Sequence, residues 1–542
     1  MKKKIVSLLL TAAMVISVCA CGNSEKTQNA VKGSETQSSE TKQQTEVAES
    51  VPEDDSLYPL VDEPVTVKGV VVIANSGADD RIVWERVAEL TGITIEWEVI
   101  DDTALPTLLA SGEWPDILFA NLSTSMLYDY GVLGDKLVNY LEYLDVMPHL
   151  AQTFEDFPLM RKGATLSNGE LYKLGFVNVA ATSTKVRPYV DTSVLEKAGV
   201  QMPKTVDEFE QALKDLKDFY GVPNFIPRLN NYANNWSLML YAAFGTGCNP
   251  QWDVEDDGTV YFAGMSDQMK HYYEFLNKLY DQGLIHQELA TLDSTAIKEL
   301  EMSGKVAFMD YAAESMPADE NGEWHISCVA PLTSEYDSTQ EVMGTPYISM
   351  SNSIYISNDS EYVKELCQML DIAFAKEEVV EGSGLLGMSF VYGIKGEHWD
   401  VNPDGKTYHF YDQEGYDNFN VFVKQEVQWY NIGRADYLAD LVPDTPSNSQ
   451  SRQFGFIENV NPYMEADPFP KDFLVFDEDQ QYVIDNKWTE IDTYVKKMQV
   501  EFITGVADIE TGWDAYCETL KKMGIEEVVA VYQAAYDELL TK

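Results

Sequence analysis

Eight side chains, in five stretches of the sequence, could together recognise a polar ring-shaped solute. They are Arg81 and Trp84; Asn121; Asn231 and Trp236, within Asn230-Asn231-Tyr232-Ala233-Asn234-Asn235-Trp236; Asp310 and Tyr311; and Trp399, within Gly396-Glu397-His398-Trp399. Tryptophan and tyrosine rings cover an apolar face while keeping a polar tip. Asparagine, aspartate and arginine supply donors and acceptors in fixed directions, and the charged ones make the stronger bonds. A pyranose, with an apolar face and a rim of hydroxyls, suits that combination in a closed cleft. Each residue also has a structural alternative: indoles on helices pack in cores, and an asparagine ending a strand forms turns.

The elements that must position these residues follow from periodicity. Thr66 to Ala74 is a β-rich run, and Asp79 to Leu90 repeats Val83, Val87 and Leu90 at helical spacing before Gly92. Thr94–Ile100, Ala104–Ser111 and Asp116–Ala120 continue the pattern as strand, short helix and strand. The order β-α-β-α-β predicts a parallel or mixed α/β sheet. In such sheets ligands bind beyond the carboxyl ends of strands. That rule selects the loop Asn75–Arg81, the residues Asn121, Ser123 and Ser125, and Asp310-Tyr311 after an apparent strand Val306–Met309. Thr205 with Glu208 reads as a capping box opening a helix. Met269–Asp281 and three C-terminal segments near 487–504, 508–523 and 525–540 read as further helices.

Other chemistries find little support. Gly382-Ser383-Gly384-Leu385-Leu386-Gly387 matches G-x-G-x-x-G, but follows a helical pattern over Tyr362–Val380 and opens no helix, so it reads as a helix stop and bend rather than a nucleotide site. Asp253–Gly258 starts like a calcium loop, but position twelve is Gly264 where a bidentate glutamate is needed; a β-turn is expected, with Trp252 beside it structural. No H-E-x-x-H, G-x-S-x-G or P-loop occurs, and no cofactor, metal or catalytic residue is assigned. Cys248, Cys328, Cys367 and Cys517 are too widely spaced for a metal knuckle; disulfides or buried thiols remain open.

The chain of 542 residues carries 38 Lys and Arg against 89 Asp and Glu, a formal charge of −51. That excess excludes a broad nucleic-acid surface and a basic membrane patch. A hydrophobic content of 45% still supports a large core. At the N-terminus Lys2–Lys4 precede a short apolar run, Ile5–Val18, which reads as an export signal too short for a comfortable membrane span. Val18-Cys19-Ala20-Cys21-Gly22 resembles the lipobox of bacterial lipoproteins, with Cys21 as the lipidated residue after a signal peptide of residues 1–20. Residues 22–56 contain no aromatic residue, Leu or Ile and carry a net charge of only −5, so 21–56 reads as an anchor plus flexible tether. Most of the negative charge therefore belongs to the folded part.

Several stretches resemble family 1 extracellular solute-binding lipoproteins of ABC importers, in the large carbohydrate-handling group. These are Gly112-Glu113-Trp114-Pro115-Asp116-Ile117, Ser167-Asn168-Gly169-Glu170-Leu171-Tyr172, Tyr189–Lys217, Phe275–Leu284 and the tail Phe502–Leu539. The resemblance spans about residues 57–542, and departs at Asp191, where the family often has Asn. It implies a type II periplasmic-binding-protein-like α/β fold with a helical C-terminus and a ligand cleft between two lobes. Lobe 1 would comprise 57–187 and 345–385, and lobe 2 would comprise 188–344 and 386–542. Crossovers are expected near Lys185–Asp191, Thr345–Ile356 and Gly384–Gly393. The implied protein is a lipid-anchored monomer on the extracytoplasmic face, without enzymatic activity, whose partners are a carbohydrate ligand, expected to be an oligosaccharide, and ABC permease subunits. A surface glycosidase, a binder of peptides or another polar solute, and a sensory or adhesive lipoprotein are the alternatives.

Overall fold

In the computed structural model of the chain, the described residues are 57–73, 81–178, 187–227, 235–246, 251–310, 312–344, 347–349, 353–416, 419–427, 432–438 and 441–542. The strands that position the site are β1 (Val65–Val72), β2 (Ile93–Ile100), β3 (Ile117–Ala120), β4 (Phe176–Asn178), β5 (Tyr189–Asp191), β6 (Phe308–Met309), β7 (Ile326–Cys328), β8 (Tyr347–Ser349), β9 (Ser353–Ile356) and β10 (Gly433–Arg434). The helices that support them are α1 (Ile82–Thr91), α2 (Pro148–Asp156), α3 (Val206–Tyr220), α4 (Asp267–Asp281), α5 (Ser294–Glu301), α6 (Asn448–Asn459), α7 (Glu478–Ile503), α8 (Ile509–Met523) and α9 (Ile525–Thr541).

The run Val-Thr-Val-Lys-Gly-Val-Val-Val places β1 at the centre of the first sheet, because both of its faces must be covered. Its neighbours β2 and β3 are parallel to it, and β9 closes the β3 edge antiparallel, giving the order β9-β3-β1-β2. The predicted mixed sheet is thus present, with its edge strand supplied from much later in the chain. α1 ends at Gly92 in the left-handed region, as its position in the sequence requires. α3 begins at Thr205, whose hydroxyl accepts from the Glu208 amide; the Glu208 carboxylate accepts from the Lys204 amide instead of closing the box on Thr205.

Two crossing strands come next. β4 pairs antiparallel with β8, Phe176 opposite Ser349 and Asn178 opposite Tyr347. β10 joins the other side of β4 in parallel. The chain leaves β4 for the second sheet, in which β5 is flanked antiparallel by β6 and β7, and returns through β8 to β9.

Apolar side chains divide accordingly. One core lies on the first sheet, with Val71, Phe119, Leu150 and Ile356 fully buried. The other is built from β5–β7, α3, α4 and the C-terminal helices, with Phe209, Leu276, Ile491 and Val528 at its centre. Phe390, Ile394 and Ile432 belong to the first core, and Leu386, Trp399 and Leu438 cluster with Phe176 of β4. The glycines at 382–387 act as a bend: Gly382 and Gly384 have positive φ, and the segment stays with the first core. Residues 252–262 form a hairpin with Gly258 in its turn, and Trp252 stacks on Tyr532 at 3.8 Å in the second core. Cys328 and Cys367 are buried free thiols and Cys517 is a partly buried one, while Cys248 lies outside the described residues. No helix among the described residues is long and apolar enough to cross a membrane.

α2 is held at both ends by buried charge. At its start the amides of His149 and Leu150 donate to Asp371, at 3.1 and 2.7 Å. At its end Arg434 of β10 bonds Asp156 at 2.8 Å and grips Asp436 with two bonds at 2.8 and 2.6 Å. Burial pushes the Asp371 carboxyl up to about 7, against the pull of the two amides. A carboxyl raised in the folded state contributes stability that is complete below the ordinary carboxylate range and is lost as pH rises through about 7. Asp371→Asn should therefore remove a decline in stability between about pH 4 and pH 7, read by urea denaturation at pH 5 and pH 8. An unchanged pH slope in the variant would contradict this assignment.

Candidate ligand-binding site

Strand topology fixes which sheet ends face the crossover. In the second sheet Tyr189, the first residue of β5 after the crossing, pairs with Met309 at the carboxyl end of β6. In the first sheet Ala120, at the carboxyl end of β3, pairs with Ser353, the first residue of β9 after β8. The carboxyl ends of β3 and β6 thus both lie beside the crossing strands, where ligands of α/β sheets bind.

At the β6 end the backbone is shaped by a carboxylate from below. Glu301, the last residue of α5, is only 1% exposed. It accepts from the amides of Asp310 at 2.9 Å and Ala312 at 2.7 Å. The far side of this turn is held by Asn448, the first residue of α6, whose amide donates to the carbonyls of Ala313 at 2.7 Å and Met316 at 3.0 Å. Asn448 in turn accepts from Arg452 Nε at 2.7 Å, and Arg452 Nη1 donates to the Tyr189 hydroxyl at 3.1 Å with its guanidinium over the Tyr189 ring. The backbone at residues 310, 312, 313 and 316 is thereby held through both donors and acceptors, an arrangement that lowers the ordering cost of binding.

The sequence candidates separate into two groups. Trp236 is fully buried, stacks on Phe209 and donates to the Tyr189 carbonyl at 3.0 Å. Trp399 is fully buried and donates to the Gly393 carbonyl at 2.8 Å. Trp84 packs between Trp97 and Phe390 in the first core. All three were expected as ligand platforms and are instead core residues, because an indole on an apolar helix or strand face gains more from burial than from exposure to a wet cleft. Arg81 is also buried, at the N-terminus of α1. Asn121 is exposed immediately after β3, and Asp310 is half-buried immediately after β6, both where the strand-end rule puts them. Asn231 and Tyr311 lie outside the described residues. Glu301, Asn448 and Arg452 escaped the sequence reading. The available signal was weak: a glutamate closing an amphipathic helix nine residues before the loop it supports.

No family model matches the chain. Among curated proteins it is 22% identical to the fructooligosaccharide ABC transporter substrate-binding protein FusA of Streptococcus pneumoniae, over 85% of this chain and 87% of that protein. It is 21% identical to lipoprotein LipO of Bacillus subtilis, over 98% of this chain and 97% of that one. Among solved structures, an HMO-binding, ABC-transporter-associated solute-binding protein from Bifidobacterium longum infantis superposes with a TM-score of 0.68 at 19% identity, over 88% of this chain and 99% of that one. The fold is the two-lobed fold of ABC transporter solute-binding proteins, as the sequence resemblance implies.

Proposed function

We propose that this protein is the substrate-binding component of an ABC importer that captures an oligosaccharide between two lobes and presents it to the permease. The observation that carries the proposal is the antiparallel pair β4·β8, which joins two separate sheets and sets a polar, prebuilt strand-end loop beside the crossing. FusA, which aligns over most of both chains, is a fructooligosaccharide-binding protein, and this supports sugar as the ligand class. Within the site, Asn121 and Asp310 are the proposed ligand contacts among the described residues; the other candidates, Asn231 and Tyr311, lie outside them. The lobes follow the two cores, 57–178 with 353–438 and 187–344 with 441–542. That division places 386–438 in the first lobe and the third crossing after β10, where the sequence suggested Gly384–Gly393. Cys21 carries the lipid, residues 22–56 are the tether, and the protein works as a monomer on the extracytoplasmic face.

Closure requires the ligand to favour the closed state over the open one. A glycan library should therefore yield one class that raises the melting temperature by several degrees, and the same glycan should compact the protein in solution scattering. Ligand at about 100 times its Kd adds about 2.7 kcal/mol. Release of new reducing ends from the bound glycan would replace this function with a glycosidase, and a response confined to peptide pools would replace the sugar.

A further inference from the structure

We infer that residues 473–476, together with Lys542, form a brace between the two lobes that limits how far they swing apart about the crossing strands. The inference uses the division into two cores and is independent of what the ligand is.

The segment leading into α7 lies between the cores. Leu474 is extended, and along the segment successive side chains turn to opposite sides. Leu474 and Phe476 pack against the second core, where Phe476 meets the Tyr532 ring edge-on at 5.2 Å. Val475 packs instead against the apolar cluster on the first sheet that includes Leu118, Leu166 and Tyr172. Phe473 is buried and lies on Gly163, within the helix Pro158–Ala164. A Cβ at Gly163 would come within 2.8 Å of the Phe473 ring and 3.1 Å of its Cα, so the two backbones approach as closely as glycine allows. That helix belongs to the first core through Met160 and Ala164. Alternate residues of one short segment are thus committed to different cores.

A polar contact repeats the connection from the other direction. α9 belongs to the second core through Val528, Tyr532 and Tyr536. The Leu539 carbonyl in its last turn accepts from Lys162 Nζ at 3.2 Å. Lys542 Nζ donates to the Thr165 carbonyl at 2.7 Å and pairs with Glu538 at 2.9 Å. The last carbonyls of a helix have no partner within it, and an ammonium group there also meets the negative end of the helix dipole. The Lys542 side chain is only 16% exposed, so it lies against protein rather than ranging through solvent.

None of these contacts uses β4, β8 or β10. With the crossing strands alone, the lobes would be free to sample a wide range of separations. A second connection removes part of that freedom in advance, so less is lost when a ligand draws the lobes together.

The test is small-angle scattering on the ligand-free full chain, beside its melting temperature. In Phe473→Ala the radius of gyration should shift upward and the distance distribution should broaden. Gly163→Ala should shift it the same way, because its methyl group displaces Phe473. The pair Lys162→Met with Lys542→Met should give a smaller shift in that direction. It keeps the test valid if Phe473→Ala fails to fold, since it leaves both cores intact. Scattering that superimposes on the parent curve in folded variants, even with a lowered melting temperature, overturns the brace and leaves these residues as packing alone. Compaction overturns it as well. No glycan enters the measurement, so failure here leaves the sugar-binding function standing, and failure of every glycan leaves the brace standing.

Discussion

Arg434→Ala should destabilise the protein by about 3–5 kcal/mol, the range for removing one partner from a buried ion pair. The side chain is 2% exposed, and Asp436, which it bonds twice, is 8% exposed. Without the guanidinium, the Asp436 carboxylate must either stay charged in an apolar setting or take up a proton. Both alternatives cost free energy. The loss extends to the end of α2, through Asp156 and the weaker contact to Thr153 at 3.3 Å. Relaxation is blocked nearby: a Cβ on Gly433 would lie 1.7 Å from the Ala373 carbonyl oxygen, so β10 cannot shift toward that carbonyl. Chemical denaturation measures the effect, and a loss below about 1 kcal/mol would show that the cluster is more hydrated than its burial implies. Arg434→Met tests the complementary point. It fills the volume but strands the same carboxylates, so it should recover only part of the loss.

Glu301→Ala should cost about 2–5 kcal/mol and sharply weaken ligand binding. Two backbone amides, those of Asp310 and Ala312, lose a charged acceptor, and an unsatisfied buried donor costs roughly 1–3 kcal/mol. Ala312 is fully buried, so water cannot replace the carboxylate there. Glu301→Gln retains one acceptor and turns an NH2 toward the second amide, giving an intermediate loss. The two effects separate by experiment: stability is read by denaturation, and affinity by calorimetry below the melting temperature, where the variant is still folded. Undiminished affinity in a folded Glu301→Ala protein would show that the loop after β6 does not contribute to the ligand site.

Much of the fold was legible because its signals are local. The continuous β-branched run of β1, the period of α1 and Gly92, and the threonine cap of α3 each act within a few residues, and each element formed where the pattern placed it. α8 and α9 were likewise bounded by Gly524 within a residue or two. The site was less legible. Asn121 and Asp310 lie directly after β3 and β6, the positions that the strand-end rule selected. Trp84, Trp236 and Trp399 were misplaced because residue type does not reveal which way a side chain faces. Glu301, Asn448 and Arg452 act across 9 to 263 residues of sequence, and only the folded chain brings them together. The sequence reading put 386–542 in lobe 2, whereas the division proposed above assigns 386–438 to lobe 1; β10 contributes only two residues to β4, too few to leave a periodic signature.

The interleaving of the two cores has a consequence for biogenesis. The core on the first sheet draws on residues from Val67 to Ile432, and the second on residues from Tyr189 to Tyr536. A nascent chain that ends before residue 432 has completed neither. Contacts so distant along the chain make folding slow, since long loops must close before they are rewarded. The first core therefore forms only after about four-fifths of the chain has been made, and the second only once the last helix has emerged.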